Sequence, residues 1–335
     1  MLKKIAAFIT AAAAAFCCCS CMKFEKTVEK RNEVDVPPKM VFMGDSIAAG
    51  YGLEGYTADD NYNCRSYSNI LKDEYTDELK NSCGHEMVNV AVSGDTSTQL
   101  LEHLNSGEFD TALKDSDAVV ISIGGNDILE IFLQFMADNL GFIQEESSFD
   151  ISDINLLSLA SAFSSMDKDI DTALDGFEVN IKEIAQTLRS KTNGTIYVQT
   201  LYDPMEYFDK VEILVDFADE KIGRLNKIIA DNASYGQKEY YKVIDVAPEF
   251  VGKCGDVTTI KQYDIHPNAE GHEIIARTVD NALRKNKFYY TTTETVKDQK
   301  AINKLIIICI AGGAVVIVLI VIAVIAVKRS HKTKG

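Results

Sequence analysis

The chain has 335 residues, of which 46% are hydrophobic and 25% charged, and its formal net charge is −16. This length is enough for one large domain or two small ones. A chain this acidic is poorly suited to holding nucleic acid, so we expect no nucleic-acid partner, and the charge keeps an exposed domain soluble.

The first 21 residues are typical of a secretory signal peptide. Two lysines precede the apolar run IAAFITAAAAAF, which matches the charged and apolar regions of such a signal. Four cysteines close the segment and are faintly similar to a bacterial lipoprotein signal, although Cys18 stands where a leucine is expected. We therefore expect export, with a signal peptide over 1–21 and a linker over 22–35, while lipidation of a signal cysteine stays open.

Five short apolar runs alternate with stretches of helical periodicity in the central part of the chain. Runs of this length, rich in β-branched residues, indicate buried strands. Their alternation with helices predicts an α/β fold with a central, mostly parallel five-stranded sheet covered by helices on both faces. The five runs are KMVFM (39–43), MVNVAV (87–92), AVVISI (118–123), TIYVQT (195–200) and YKVIDV (241–246).

Motifs of small and polar residues stand where the first three predicted strands end. GDS (44–46) follows the first strand, SGDTS (93–97) the second and GGND (124–127) the third. Sites in such sheets lie beyond the carboxyl ends of the strands, so we expect the three motifs to meet. Ser46 is either a helix cap or a nucleophile. The aspartates of the motifs are interpreted as turn formers and caps: Asp45, Asp95 and Asp127.

The stretch between the third and fourth predicted strands is far longer than one crossover helix needs. It begins with ILEIFLQFMADNLGFI, which has too many apolar residues for a fully solvated helix. A helical insertion over about 128–180 is predicted. It either forms a wall or a lid of a cleft, or it is an extra packed layer of helix. Tyr202 and Pro204, in LYDPM after the fourth strand, are expected to line the same cleft and to bind substrate.

The C-terminal part of the chain predicts a membrane anchor. Residues 305–327 carry no charge, and as a helix they would span the roughly 30 Å hydrocarbon core of a bilayer. Cationic residues follow in 328–335, and positive residues favour the cytoplasmic side. We therefore expect a single-pass cell-membrane protein with a cytoplasmic tail, an extracellular domain over 36–290 and an exposed polar stalk over 291–304.

The cysteines of the predicted outer domain are Cys64, Cys83 and Cys254. Three cysteines cannot all pair within the domain, and a bridge between Cys64 and Cys83 is one possibility. Their spacing fits no metal-site pattern, so no metal is expected.

The motifs GDS, SGDTS and GGND are followed by HPNAEGH (266–272), and the four occur in the order and approximate spacing of the GDSL, or SGNH, hydrolases. The chain resembles this family over most of its length. The resemblance implies a three-layer flavodoxin-like sandwich and a serine esterase or lipase without a cofactor. It implies that Ser46 attacks an ester carbonyl with His266 as its base, and that Gly94, Asn126 and the Ser46 backbone hold the oxyanion. The implied substrate is a lipid, lysophospholipid or acylated glycan ester.

The residue types suit this chemistry. A serine hydroxyl needs a base to become a nucleophile, and histidine acts as one near neutral pH. Fixed donors around the carbonyl oxygen stabilise the negative charge that develops there, and losing one of them costs on the order of 3 kcal/mol in the transition state. A glycine at position 94 also lets substrate approach the backbone closely.

One position departs from the family pattern. The acid of the triad usually stands three residues before the histidine, where this chain has Tyr263, whereas Asp264 lies two residues before it. Either Asp264 orients the imidazole, or a backbone carbonyl does so and leaves a dyad of Ser46 and His266; Asp256 is the nearest substitute. The shift is the one feature that favours an alternative function, a membrane-tethered binding module with little or no turnover. The oligomeric state is not predicted.

Overall fold

The computed structural model describes residues 23–140 and 156–332. The predicted signal peptide and the candidate lipidation cysteines lie outside the described residues, as do 141–155 of the predicted insertion and 333–335 of the predicted tail. The chain divides into a central unit, Glu33–Tyr290, and a terminal unit that comprises the residues on either side of it.

The central unit contains a five-stranded sheet in which every neighbouring pair is parallel. The strands are β1 (Lys39–Gly44), β2 (Glu86–Asn89), β3 (Ala118–Ser122), β4 (Thr195–Gln199) and β5 (Lys242–Ile244). Their order across the sheet is β2-β1-β3-β4-β5. Each strand falls within or overlaps one of the five predicted apolar runs, so the predicted parallel sheet is confirmed.

Helices cover both faces of this sheet, because successive side chains of a strand point to opposite sides. Met40 and Phe42 of β1 belong to one buried cluster and Val41 and Met43 to the other. The helices are α1 (Ser46–Ala49), α2 (Tyr67–Leu79), α3 (Ser97–Ser106), α4 (Gly125–Leu140), α5 (Leu156–Lys191), α6 (Glu212–Asp231) and α7 (Ala269–Leu283). Helices α2 and α7 pack on the Phe42 side, and α3, α5 and α6 on the Val41 side. The predicted three-layer sandwich is therefore confirmed.

Shorter elements complete the central unit. They are the helical turns Asp110–Leu113, Pro204–Phe208, Ala247–Phe250, Cys254–Val257 and Ile260–Gln262, and the paired strands Ser234–Tyr235 and Lys238–Glu239.

The two helices α4 and α5 account for the described part of the predicted insertion. In α5, Leu174, Phe177 and Ile181 are fully buried against the sheet, so this half of the helix is a core layer. In α4, Ile131 and Phe135 are partly buried against the same cluster. The described part of the insertion thus includes a packed layer, and other side chains of α4 line a cleft.

The terminal unit has two elements that the sequence pattern does not predict. The strands Glu25–Val34 and Phe288–Lys297 pair in a two-stranded sheet. The first strand lies within the stretch interpreted as linker, and the second begins three residues before the stretch interpreted as stalk. The helix Gln299–Lys332 follows, and its part Gln299–Ile325 is long and apolar enough to cross a membrane by length and composition. The helix begins six residues before the predicted span.

The possible bridge between Cys64 and Cys83 is not formed. Cys64 is buried and directs its thiol to the carbonyl oxygen of Ala49, whereas Cys83 is exposed. Both are free thiols, as is the buried Cys254.

Candidate active site

Ser46 lies in a sharp turn between β1 and α1. The strand ends at Gly44, which has φ +116°, and a Cβ at this position would lie 1.8 Å from the carbonyl oxygen of Ser122 in β3. Asp45 then caps α1, since its carboxylate accepts hydrogen bonds from the backbone N–H of Ile47 and the hydroxyl of Ser122, each at 3.1 Å. A glycine is required here because no side chain fits, and the turn presents Ser46 at the carboxyl end of the sheet.

The cap residue itself is unusually buried for a carboxylate. Asp45 is 2% exposed, and burial raises its pKa to about 7, against the opposing effect of the hydrogen bonds that it accepts. The expectation that Asp45 is a helix cap is confirmed by this geometry.

His266 contacts both Ser46 and Asp264. The distance from Ser46 Oγ to His266 Nε2 is 2.8 Å, and that from His266 Nδ1 to Asp264 Oδ1 is 2.5 Å. Because Nδ1 faces a carboxylate, we assign the proton to Nδ1, which leaves the Nε2 lone pair to accept the hydroxyl proton of Ser46. The alternative acid, Asp256, is instead exposed and paired with Lys261 at 3.0 Å.

Two opposing effects act on the Asp264 carboxyl. Burial disfavours its charged form, but the hydrogen bonds from the ring and the backbone N–H of His266 outweigh burial, and the pKa of Asp264 is lowered. Asp264 is therefore ionised beside the imidazole at neutral pH. This contact removes the one feature that favoured a binding module.

The loop that carries Asp264 and His266 is anchored to its surroundings. The Thr259 hydroxyl lies 3.1 Å from the carbonyl oxygens of both residues. The hydroxyl of Tyr202, which is buried, donates to the carbonyl oxygen of Ile265 at 2.6 Å. Neither of these contacts is predicted from the sequence. Tyr202 is remote in sequence from the loop that it contacts, and Thr259 bonds to a backbone without regular secondary structure.

An aromatic ring covers the imidazole. The ring centroid of Tyr51 lies 4.6 Å from that of His266, at an interplanar angle of 50°. Tyr51 lies two residues after the end of α1, and its backbone N–H donates to the carbonyl oxygen of Ser46 at 3.0 Å. The turn that positions the serine thus also positions this ring, which the sequence analysis did not single out.

The sheet register brings the loop after β2 beside the turn of Ser46. The backbone N–H of Val92 donates to the carbonyl oxygen of Gly44 at 2.9 Å, and Gly94 follows with φ +94°. The side-chain amide of Asn126, near the start of α4, donates to the carbonyl oxygen of Asp95 at 2.9 Å. An amide nitrogen carries two protons, so Asn126 retains a second donor beside Gly94.

Asp127 links the starts of helices α3 and α4, next to the loop of Gly94. Its carboxylate accepts from the backbone N–H of Ser97 at 2.9 Å and from the Ser97 hydroxyl at 2.5 Å, and Asn180 donates to the same hydroxyl at 2.9 Å. Burial raises the pKa of Asp127, and the hydrogen bonds from Ser97 oppose the shift. The interpretation of Asp127 as a turn former or cap is incomplete, because its carboxylate joins the starts of α3 and α4.

An apolar cleft of about 110 Å³ adjoins the turn of Ser46. Its walls come from α1, α4, α6, the segment after β4 and the loop that carries His266. They include Ile47, Leu129, Phe132, Leu201, Phe217 and Ile265. Tyr202 and Pro204 line the cleft, as does Lys221, whose ammonium is held by Asp167 at 2.5 Å and Asp171 at 2.9 Å. Lys221 is the one cation among the described residues of the wall, and these carboxylates neutralise it, so the cleft suits an uncharged apolar group.

Residues 42–274 match the GDSL-like lipase/acylhydrolase family. The chain belongs to this family. Among curated proteins it is 24% identical over 207 residues to the uncharacterized protein YpmR of Bacillus subtilis (strain 168), which covers 60% of this chain and 67% of that protein.

Solved structures of lipases have a similar fold. The lipase Lip_vut3 from a goat rumen metagenome has a TM-score of 0.53 at 17% identity, covering 73% of this chain and 96% of that one. An extracellular lipase from Streptomyces rimosus has a TM-score of 0.52 at 18% identity, covering 73% and 99%. At these identities the likeness shows the fold alone. The family resemblance expected from the four motifs is confirmed, and the chain is a serine hydrolase that acts on ester bonds.

Proposed function

We propose that the chain is an extracytoplasmic esterase that hydrolyses carboxylic esters through an acyl-enzyme on Ser46. The contact between Ser46 Oγ and His266 Nε2 at 2.8 Å carries this proposal, because it couples a hydroxyl at a strand end to a base. The substrate is a lipid, lysophospholipid or acylated glycan ester, and no cofactor takes part.

In the first half of the reaction, Ser46 Oγ attacks the ester carbonyl carbon while its proton passes to His266 Nε2. The carboxylate of Asp264 stabilises the imidazolium that forms and keeps the ring in place. When the tetrahedral intermediate collapses, the carbon–oxygen bond to the alcohol breaks. The alcohol oxygen then takes the proton from Nε2, and the acyl group stays on Ser46.

In the second half, water replaces the alcohol. His266 Nε2 takes a proton from the water as its oxygen attacks the acyl carbon, and it returns that proton to Ser46 Oγ as the carboxylic acid leaves. The backbone N–H groups of Ser46 and Gly94 and the second amide proton of Asn126 stabilise the oxyanion in both halves.

A serine-reactive fluorophosphonate tests the nucleophile. The full-length chain in detergent should be labelled, and Ser46→Ala should not be labelled while its melting temperature stays near that of the wild type. Ser68→Ala provides a matched control, since Ser68 is also a buried serine at a helix start. Equal labelling of Ser46→Ala, or no labelling of the wild type, would contradict an acyl-enzyme on Ser46.

The apolar cleft is proposed to bind the acyl chain, with Tyr202 and Pro204 in its wall. Burying a methylene group in such a cleft contributes about 0.8 kcal/mol. We therefore expect kcat/KM for p-nitrophenyl esters to rise from acetyl to butanoyl by at least tenfold. A preference for acetyl would contradict this assignment and point to deacetylation of glycans.

The proposed topology is a single pass with the catalytic domain outside the cell membrane. It is supported by the leader-like start of the chain, the apolar helix within Gln299–Lys332 and the cations after it. The proposed organisation is a signal peptide (1–21), linker (22–35), hydrolase domain (36–290), stalk (291–304), transmembrane helix (305–327) and cytoplasmic tail (328–335).

Thiol labelling on intact cells tests this topology. Cys83 is an exposed free thiol of the central unit, so a membrane-impermeant maleimide should label the wild type, and Cys83→Ser should lose that label. Labelling of Cys83 only after the membrane is opened would place the domain inside.

A further inference from the structure

A second cleft lies beside the two oxyanion candidates. It has a volume of about 520 Å³ and is lined by Gly94 and Asn126 together with side chains of α3, α4 and the turn before α3. We call it the polar cleft, and its other polar residues are Thr96, Gln99, Glu130 and Gln134. The mechanism above uses none of these four side chains.

The polar cleft and the apolar cleft meet at one helix. Leu129 of α4 lines both, and the first residues of α4 separate them, since Gly125 lines the apolar cleft and Asn126 the polar one. An ester carbonyl at Ser46 has two substituents, an acyl chain and an alcohol. With the acyl chain in the apolar cleft, the polar cleft on the other side of these residues offers a space into which the alcohol can extend.

The side chains of the polar cleft offer both hydrogen-bond donors and acceptors. Gln99 Oε1 accepts from the backbone N–H of Thr96 at 2.9 Å, which leaves its amide protons as donors. The amide nitrogen of Gln134 donates to Asp138 at 2.8 Å, which leaves its oxygen as an acceptor. Hydroxyl groups both donate and accept, so this arrangement is complementary to a hydroxylated molecule.

The described lining of the polar cleft carries negative charge only. Glu130 is its only ionisable lining residue, and no lysine, arginine or histidine lies among the lining residues in the described part of the chain. A phosphate there would face a carboxylate without a cationic partner, and bringing like charges together in a cleft is unfavourable.

We propose that the polar cleft binds the alcohol part of the ester and selects an uncharged, hydroxylated alcohol over a phosphorylated one. This inference rests on the proposed esterase function and narrows its substrates. Acyl glycerols and acylated neutral glycans fit the cleft, whereas lysophospholipids, which carry a phosphate close to the ester, do not.

Two esters with the same acyl group test the selection. The full-length chain in detergent is assayed with butanoyl glycerol and butanoyl glycerol phosphate, which are both soluble enough to stay outside micelles. We expect kcat/KM to be at least tenfold higher for the glycerol ester. A third substrate, p-nitrophenyl butanoate, measures esterase activity without a polyol.

A charge-reversal variant tests whether Glu130 causes the preference for the glycerol ester. Glu130→Lys should lower the ratio of the glycerol ester to the phosphate ester by at least threefold. Glu183→Lys makes the same charge change on the exposed side of α5, outside the polar cleft, and should leave the ratio unchanged.

The outcomes separate the inference from the function on which it rests. If p-nitrophenyl butanoate is hydrolysed but the two glycerol esters react equally, or the phosphate ester reacts faster, the inference is wrong and the esterase function stands. An equal change of the ratio in both charge reversals also overturns it, because the effect would then come from overall charge. No hydrolysis of any of the three substrates would overturn the proposed function and the inference together.

Discussion

Replacing Asp264 with asparagine separates a triad from a dyad. Asp264 Oδ1 accepts from the ring Nδ1–H of His266 at 2.5 Å and from its backbone N–H at 3.1 Å. Both bonds end on the same oxygen, and asparagine has nearly the same volume as aspartate. If the asparagine oxygen takes the place of Oδ1, both bonds can be kept, but the negative charge that stabilises the imidazolium is lost. When its NH₂ faces the ring, Nδ1 must accept, and the imidazole proton moves to Nε2. The base then cannot take the proton of Ser46.

The expected loss is large. Where the acid of a serine hydrolase triad was replaced by its amide, turnover fell by about 10⁴-fold through the wrong tautomer, which corresponds to about 5 kcal/mol of barrier. The lowered pKa of Asp264 indicates that its charge is stabilised mainly by His266, so the amide also removes the partner of the imidazolium. We therefore expect kcat for p-nitrophenyl butanoate to fall by three to four orders of magnitude, with the melting temperature little changed.

Two further variants complete this test. His266→Ala should abolish turnover under either mechanism, and Asp256→Asn, the same chemical change at an exposed carboxylate paired with Lys261, should keep it. A loss below about tenfold in Asp264→Asn, about 1.4 kcal/mol of barrier, beside an inactive His266→Ala would refute the triad. The mechanism would then be a dyad with the ring oriented by a backbone carbonyl.

Three other predictions concern the turn and the loop that hold the site. Gly44→Ala places a Cβ 1.8 Å from a carbonyl oxygen and should lower the free energy of unfolding by about 4 kcal/mol or more, whereas Gly252→Ala, also at positive φ but with open space, should lower it by about 1 kcal/mol. Thermal unfolding compares the two variants, and equal losses would contradict the steric argument. Since burial raises the pKa of Asp45 to about 7, the folded state holds a proton that the unfolded state releases above its pKa of 3.8, and stability is lost as pH rises from about 4 to 7. Asp45→Asn should therefore stabilise the protein by several kcal/mol more at pH 8 than at pH 4 in thermal unfolding, and a pH-independent difference would rule this out. Tyr202→Phe leaves the Ile265 carbonyl without its donor and should cost about 1 kcal/mol and lower kcat, while an unchanged kcat would show that the bond does not hold the loop.

The sheet and the positions of the motifs could be predicted because local pattern determines them. Each buried strand is a short apolar run, and the register of parallel strands places whatever follows them at one edge. Ser46, Gly94 and Asn126 were predicted to meet there, and the hydrogen bonds between their loops and strands join these three segments.

Contacts between remote side chains and backbone could not be predicted in the same way. Tyr202 reaches the carbonyl of Ile265 across 63 positions, and Asp127 reaches Ser97 across 30. Nothing in the sequence near Asp127 distinguishes it from a residue that only forms a turn. The strand Glu25–Val34 was also missed, because its alternation is mostly between polar residues and no buried face marks it.

The spacing of Asp264 is explained by a local turn that holds backbone and ring together. Aspartate side chains readily accept a hydrogen bond from the backbone two residues on, and Asp264 does so with the N–H of His266 at 3.1 Å. The same oxygen lies 2.5 Å from the ring nitrogen of that residue. Tyr263 stands where the family usually has its acid, but its φ is +61° and it is 80% exposed. A carboxylate two residues before the histidine can therefore fix both the backbone and the imidazole of His266, and the separation of three is not required for this contact.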